Sequence, residues 1–262
     1  MNKYPMITGG EADNHDIPAE LMNLMQIGSD SVMDYAKTML ETMVGYKELM
    51  MMYTCAIKEV RTKFDVLNTE FNTRYQRNPI TSIHSRLKST NSIMEKVAHR
   101  NIEFSLENIE KEITDVAGIR VICSYVDDIY HLAEALEKQD DITLIAKKDY
   151  ISNPKPNGYR SLHLIISIPV FFADQKKEMT VEIQIRTIAM DFWASLEHQL
   201  KYKQEIAEQA QIVARLKSCA DVIAKTDKEM LELRQQLESS ANKPSEDDVL
   251  FEKLKKLNEP IL

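Results

Sequence analysis

Two carboxylates carry the strongest hint of chemistry in this chain. Asp115 stands in the run Asp-Val-Ala-Gly-Ile-Arg, just ahead of a predicted strand that Arg120 opens. A carboxylate there suits Mg²⁺, a hard ion that wants oxygen ligands and bridging phosphates. Glu182, Gln184 and Arg186 alternate with Val181, Ile183 and Ile185. That alternation predicts a strand with one apolar and one polar face, and a polar face on a central strand marks a cleft wall. Glu182 on that wall suits a metal ligand or a general base. Basic groups follow the same logic. Ser92 and Lys96 are one helical turn apart, with Arg86 and Lys88 just before them. Ammonium groups and a hydroxyl in such an array fit a polyphosphate, and an arginine plane beside them fits a base. Lys147, Lys148, Tyr150, Lys155, Asn157, Tyr159 and His163 interleave cations with aromatics around a turn. There Tyr159 can stack a base while Lys155 or Asn157 meets its edge or its phosphates. Plainer roles stay open for each: a cap or ion-pair role for Asp115, a solvated helix face for the basic run, a packing histidine for His163.

Charge distribution agrees with a phosphorylated ligand. The formal net charge is -8, which excludes a basic coat for nucleic acid, and no stable nucleic-acid partner is expected. Residues 61–100 nonetheless hold eight Lys and Arg against three acids, a local +5 inside an acidic protein. Other chemistries lack their signatures. The six glycines form no dinucleotide cradle, and neither G-x-S-x-G, a phosphate-binding G-x-x-x-x-G-K-[ST] loop nor a metalloprotease HExxH occurs. Cys55, Cys123 and Cys219 lack zinc or redox spacing, which points to a reducing, cytoplasmic setting. No apolar run is long enough to span a membrane, and no secretory signal is expected at the N-terminus.

The elements that must position these residues follow from periodicity. A helix is predicted from Ser31 to about Tyr75, with Met39, Met43, Tyr46, Met50, Tyr53, Ile57, Val60 and Phe64 near a 3.6 period and the methionines as core filler. Pro79 ends it, and Arg86–Val97 reads as a helix or a turn leading into one. Strands are expected around 119–124, 142–145, 162–168 and 179–186. Asp127 reads as the cap of a helix to Leu136, and a further helix covers 187–202. A long helical pattern occupies 204–240, followed by a linker and a terminal helix, as core cover or a self-association surface. The division expected is an N-terminal tail (1–30), a catalytic domain (31–203) and a C-terminal helical segment (204–262). The fold class is α+β, a small mixed β-sheet flanked by helices.

In this order the clusters resemble the synthetase domain of the (p)ppGpp alarmone synthetases, the RelA/SpoT-like family, and most closely its small single-domain members. The resemblance runs from about Arg77 to Tyr202. It rests on RLKSTNSIMEK (Arg86–Lys96), DVAGIR (Asp115–Arg120), KKDYISNPKPNGYRSLH (Lys147–His163), VEIQIRT (Val181–Thr187) and DFWASLEHQLKYK (Asp191–Lys203). It implies a nucleotidyltransferase fold of the polymerase-beta-like kind. It also implies transfer of the β,γ-diphosphate of ATP to the ribose 3′-hydroxyl of GDP or GTP. By the same resemblance, Arg86 and Arg120 clasp adenine, while Lys88, Ser92 and Lys96 grip the ATP phosphates. Asp115 holds Mg²⁺, and Glu182 assists it or activates the 3′-hydroxyl. Tyr159 stacks on guanine, and Lys148, Lys155, Asn157, His163 and Gln184 position the acceptor. A homotetramer built on the C-terminal helices and a (p)ppGpp allosteric ligand are implied too. The segment ahead of Arg77 is too short for the hydrolase domain of longer relatives, so synthesis without hydrolysis is expected. Where many relatives carry an arginine this chain has Ala146, with Lys147 as a stand-in, and GDP or GTP preference stays open. Two other readings also remain. One is modification of a different 3′-hydroxyl, on an adenosine nucleotide or a tRNA end; the other is an inactive regulatory or RNA-binding relative.

Overall fold

The computed structural model describes the backbone of residues 19–202 and 209–240; expectations for 1–18, 203–208 and the stretch beyond 240 lie outside the described residues. Residues up to Lys47 form one unit and those from Glu48 onward another. Helix α1 spans Ala19–Tyr75. In the first unit, Val32, Met33, Tyr35, Met39, Leu40, Met43 and Val44 are exposed, so Met39 and Met43 are not the core filler their spacing suggests. In the second unit, Tyr53, Val60 and Phe64 of α1 are fully buried, as expected.

Beyond α1, the chain runs β1 (Ile80–Leu87), α2 (Thr90–His99), α3 (Leu106–Glu112), β2 (Ala117–Cys123), α4 (Val126–Glu137) and β3 (Thr143–Asp149). It continues through β4 (Leu162–Phe171), β5 (Lys176–Thr187), α5 (Ile188–Tyr202) and α6 (Gln209–Ser240). One five-stranded sheet has the order β1-β2-β5-β4-β3. Among the described residues, only β2 and β5 pair in parallel; every other pair is antiparallel, so the sheet is mixed. Over Arg86–Val97, expected as a helix or a turn leading into one, β1 ends at Leu87 and a short connection leads into α2. The expected strands do not include β1, whose apolar residues Ile80, Ile83 and Leu87 are spaced three and four apart and do not alternate. The helix starts only after the Ser89 cap, whose hydroxyl accepts from the Ser92 N–H. Asp127 is likewise in the first turn of α4 and not its cap, which is Tyr125.

Alternation gives the sheet two faces. Ile119, Val121, Leu162, Leu164, Ile166, Val181, Ile183 and Ile185 are all at most 2% exposed. Ile129, Leu132 and Leu136 of α4 are buried as well. Each such side chain contributes about 1.5–3 kcal/mol through removal from water. The opposite face bears the polar positions of β2, β4 and β5, and this packed layer holds them in place. Among the described residues, no helix is long and apolar enough to cross a membrane.

Candidate active site

Strand register brings the polar residues together. Arg86 pairs with Gly118 and His84 with Arg120. Gly118 in turn faces Glu182, and Arg120 faces Gln184. Gln184 pairs on its other side with His163, which faces Lys148. Residues paired across a ladder share a face. One row therefore runs His84, Arg120, Gln184, His163, Lys148, and the next runs Arg86, Gly118, Glu182. Gly118 carries no side chain, and a Cβ there would meet nothing nearer than the Arg86 carbonyl at 3.5 Å. The floor between Arg86 and Glu182 is thus open. Above it is a cavity of about 370 Å³ lined by Arg86, Lys88, Asp115, Gly118, Arg120, Glu182 and Gln184, among others. That volume lies in the range of small-molecule sites.

Asp115 sits in the loop before β2, where two ammonium groups converge. Lys88 Nζ donates to Oδ2 at 3.0 Å and Lys96 Nζ to Oδ1 at 2.7 Å. Burial pulls this carboxyl upward, but the hydrogen bonds and charges of Lys96 and Lys88 outweigh it and hold the group below the usual carboxylate range. Glu182 shows the same balance. Burial raises it, and the imidazole of His163, 3.5 Å away, together with the Gln184 amide at 3.1 Å, brings it down. Both groups are therefore carboxylates at neutral pH. Among the described residues, no group of three or more His, Cys, Asp or Glu gathers as a closed metal site. Two ionised carboxylates in a phosphate-sized cavity instead match Mg²⁺, which takes one or two carboxylates and completes its shell with water and substrate phosphates. Asp115 keeps a second lone pair on each oxygen for such an ion.

On the β4 side of Glu182 is an aromatic and cationic cluster. Tyr159 Oη lies 2.8 Å from His163 Nε2, continuing the line from Glu182. Tyr150 packs edge-on against His163 and Tyr159, with centroids 5.2 Å and 6.0 Å away. Lys155 Nζ lies 4.7 Å from the Tyr150 ring centroid and 4.9 Å from that of Tyr159. The turn that carries them closes through Gly158 N–H donating to the Lys155 carbonyl, with Gly158 at φ 91°, a left-handed conformation that favours glycine.

The expected site residues thus fall into groups. Arg86, Lys88, Asp115, Arg120, Glu182 and Gln184 share the cavity, and Lys96 joins through Asp115. Lys155, Tyr159 and His163 cluster beside Glu182. Ser92 is in the first turn of α2, bonded to Ser89. Lys148 is exposed on β3 in register with His163. The Asn157 side chain shapes the loop: its oxygen accepts from the Tyr159 N–H and its amide donates to Glu197 at 3.0 Å. Lys147 does not replace the missing arginine. It pairs with Leu164 on the helix-covered face, and its ammonium is bound to Glu137 at 2.7 Å.

Two residues unassigned by sequence reasoning join the site. Arg186 is buried, and its guanidinium donates to Tyr159 Oη, to Gln184 Oε1 at 2.7 Å and to Asp191 at 3.2 Å. Asp191, in the first turn of α5, also pairs with Arg120 at 3.3 Å. One carboxylate therefore ties an arginine of the cavity wall to an arginine of the aromatic cluster. The polar stripe of β5 pointed to Arg186; nothing local pointed to Asp191.

Comparison with known proteins accords with this geometry. The family model for the region found in RelA and SpoT proteins matches residues 85–207. GTP pyrophosphokinase YwaC of Bacillus subtilis is 40% identical over 206 residues, covering 79% of this chain and 97% of the relative. The crystal structure of small alarmone synthetase 1 from Bacillus subtilis bound to its product pppGpp superposes with a TM-score of 0.66 at 34% identity, covering 74% of this chain and 98% of that one. The same synthetase bound to AMPCPP gives 0.61 at 33% identity, with coverage of 74% and 98%. A shared fold and this identity over nearly the whole length of these relatives place the chain in the RelA/SpoT family, among its small alarmone synthetases.

Proposed function

We propose that this chain is a GTP pyrophosphokinase: it transfers the β,γ-diphosphate of ATP to the ribose 3′-hydroxyl of GDP or GTP and makes ppGpp or pppGpp. The observation that carries this reading is the convergence of Asp115, Glu182, Lys88, Arg86 and Arg120 on one cavity, next to the Tyr159–His163 cluster. The relatives named GTP pyrophosphokinase and the solved synthetase bound to pppGpp support it.

Donor and acceptor occupy opposite ends. Arg86 and Arg120 hold the adenine, and Lys88, Ser92 and Lys96 neutralise the polyphosphate chain. Tyr159 stacks the guanine, with Lys155, Asn157, His163, Lys148 and Gln184 around it. Asp115 and Glu182 hold Mg²⁺, which when bound draws charge off the phosphate oxygens. Glu182 receives the acceptor hydroxyl and takes its proton as the 3′-oxygen bonds to the β-phosphorus. The bond from that phosphorus to the α,β-bridging oxygen breaks, and AMP leaves. Catalysis of this kind is mainly positioning and charge neutralisation, which a rigid sheet supplies. The chain works as a homotetramer in the cytoplasm, and (p)ppGpp acts as an allosteric ligand. Exposed Val222, Met230, Leu233 and Leu237 on α6 offer an apolar surface for the assembly.

Replacing Glu182 by Gln keeps the shape and removes the negative charge. The expected result is a loss of kcat of at least about 100-fold with KM for ATP within about threefold of wild type. Retained turnover would remove Glu182 from this role.

A further inference from the structure

Helix α6 builds the back of the loop that carries Tyr159, through a residue the reaction itself does not use. Arg160 is only 17% exposed, and its guanidinium reaches back to α6. Nη1 donates to the carbonyls of Gly158 and Ala220, both at 3.2 Å, and Nη2 donates to Asp221 Oδ1 at 3.0 Å. The fork therefore binds its own loop and the helix with one planar group, which a lysine cannot reproduce. Contact is closest at Gly158, where a Cβ would come within 2.6 Å of the Ala220 Cβ and 3.2 Å of the Lys217 Cα. Trp193 of α5 fixes the same stretch of helix, its Nε1 donating to the Leu216 carbonyl at 2.9 Å. Tyr159 itself packs against the small cluster of Trp193, Ala194 and Ala220.

We infer that Arg160 is a positioning residue for the acceptor nucleotide: by clamping the 155–160 loop onto α6, it sets the plane on which the guanine stacks. The inference rests on the reading of this loop as the acceptor site. It separates donor from acceptor. The ATP-side residues lie on β1, α2, β2 and the connection between β1 and α2, and none of the bonds of Arg160 reaches them.

Steady-state kinetics of the full chain, varying ATP and GDP separately, tests it. Arg160→Ala is expected to raise KM for GDP about tenfold, the size of a lost charge-assisted bond, with KM for ATP within about twofold. Arg160→Lys keeps the charge but not the fork, and falls between wild type and Arg160→Ala. Asp221→Ala, at a half-exposed side chain, gives a smaller rise of about two- to threefold in the same parameter. An unchanged KM for GDP in Arg160→Ala, or equal rises for both nucleotides, would overturn the proposal. Should Arg160→Ala not fold, a wild-type KM for GDP in both Arg160→Lys and Asp221→Ala would do so. Tyr159→Ala serves as the reference: if it leaves KM for GDP unchanged, the acceptor reading has failed. If Tyr159→Ala raises it and the Arg160 variants do not, only the clamp has failed.

Discussion

Asp191 shows how much of this site depends on single ion pairs. Its carboxylate lies between Arg120 on the donor side and Arg186 on the acceptor side. Asp191→Asn would leave two guanidinium groups facing one another. KM is expected to rise about tenfold for both nucleotides, in contrast to the one-sided effect at Arg160. A rise for one substrate alone contradicts the bridge. Lys96→Met removes one of two ammonium groups from Asp115 and acts on the donor side, raising KM for ATP about tenfold and leaving that for GDP nearly unchanged. These roles differ in how far the sequence disclosed them. Asp115, Glu182 and the basic cluster stood out because each pairs a reactive group with a local pattern. Asp191 did not, because its meaning comes from two strands and a helix turn that meet only in the fold. Lys147 misled for the converse reason. Its type was right, but strand alternation turns it toward Glu137.

At the scale of elements, register does most of the positioning. The alternation of β2 and β5 was readable, and so were the apolar run of β4 and the helix after Thr187. Strand β1 was not, because it is an edge strand with few buried positions and its apolar residues do not alternate. Helix α6 was read as core cover or a self-association surface, and along it Ala220 is buried while Val222, Met230, Leu233 and Leu237 are exposed. Its docked face adds polar anchors to an apolar seat of Leu216, Ala220 and Ile223 against Trp193: Arg160 at Asp221, Thr187 at Asp227, and Asp127 at Arg234. Hydropathy cannot see such anchors. Asp227 is buried, and burial raises its carboxyl above the usual range although the Thr187 hydroxyl opposes this. A raised folded value means that stability is fully present below the ordinary carboxylate pKa of about 4 and is lost as pH rises through the folded value. Asp227→Asn keeps an acceptor for Thr187 without the charge. Its Tm advantage over wild type should therefore grow between pH 4 and pH 7, and a difference that stays constant contradicts this. Gly158→Ala tests the loop seat: a side chain at φ 91°, pressed on Ala220, is expected to raise KM for GDP by about tenfold.

For the molecule as a whole, net charge was a poor guide. The value of -8 argued against a nucleic-acid coat but said nothing of nucleotides. The local excess over residues 61–100 was more telling, since it contributes Arg86, Lys88 and Lys96 to the donor end. Exposed apolar side chains on α6 support self-association, and sedimentation is expected to find four copies of the 30.2 kDa chain. Leu233→Glu should shift that distribution toward smaller species; a monomer in the wild type contradicts it. What the cavity does with two nucleotides decides the function. The direct measurement incubates the protein with γ-labelled ATP and Mg²⁺, offering GDP, GTP, GMP, ATP or tRNA in separate reactions. AMP and a labelled 3′-diphosphate on the guanosine nucleotide are expected when GDP or GTP is present. Label on tRNA or ATP alone, or no transfer to any acceptor, would contradict it.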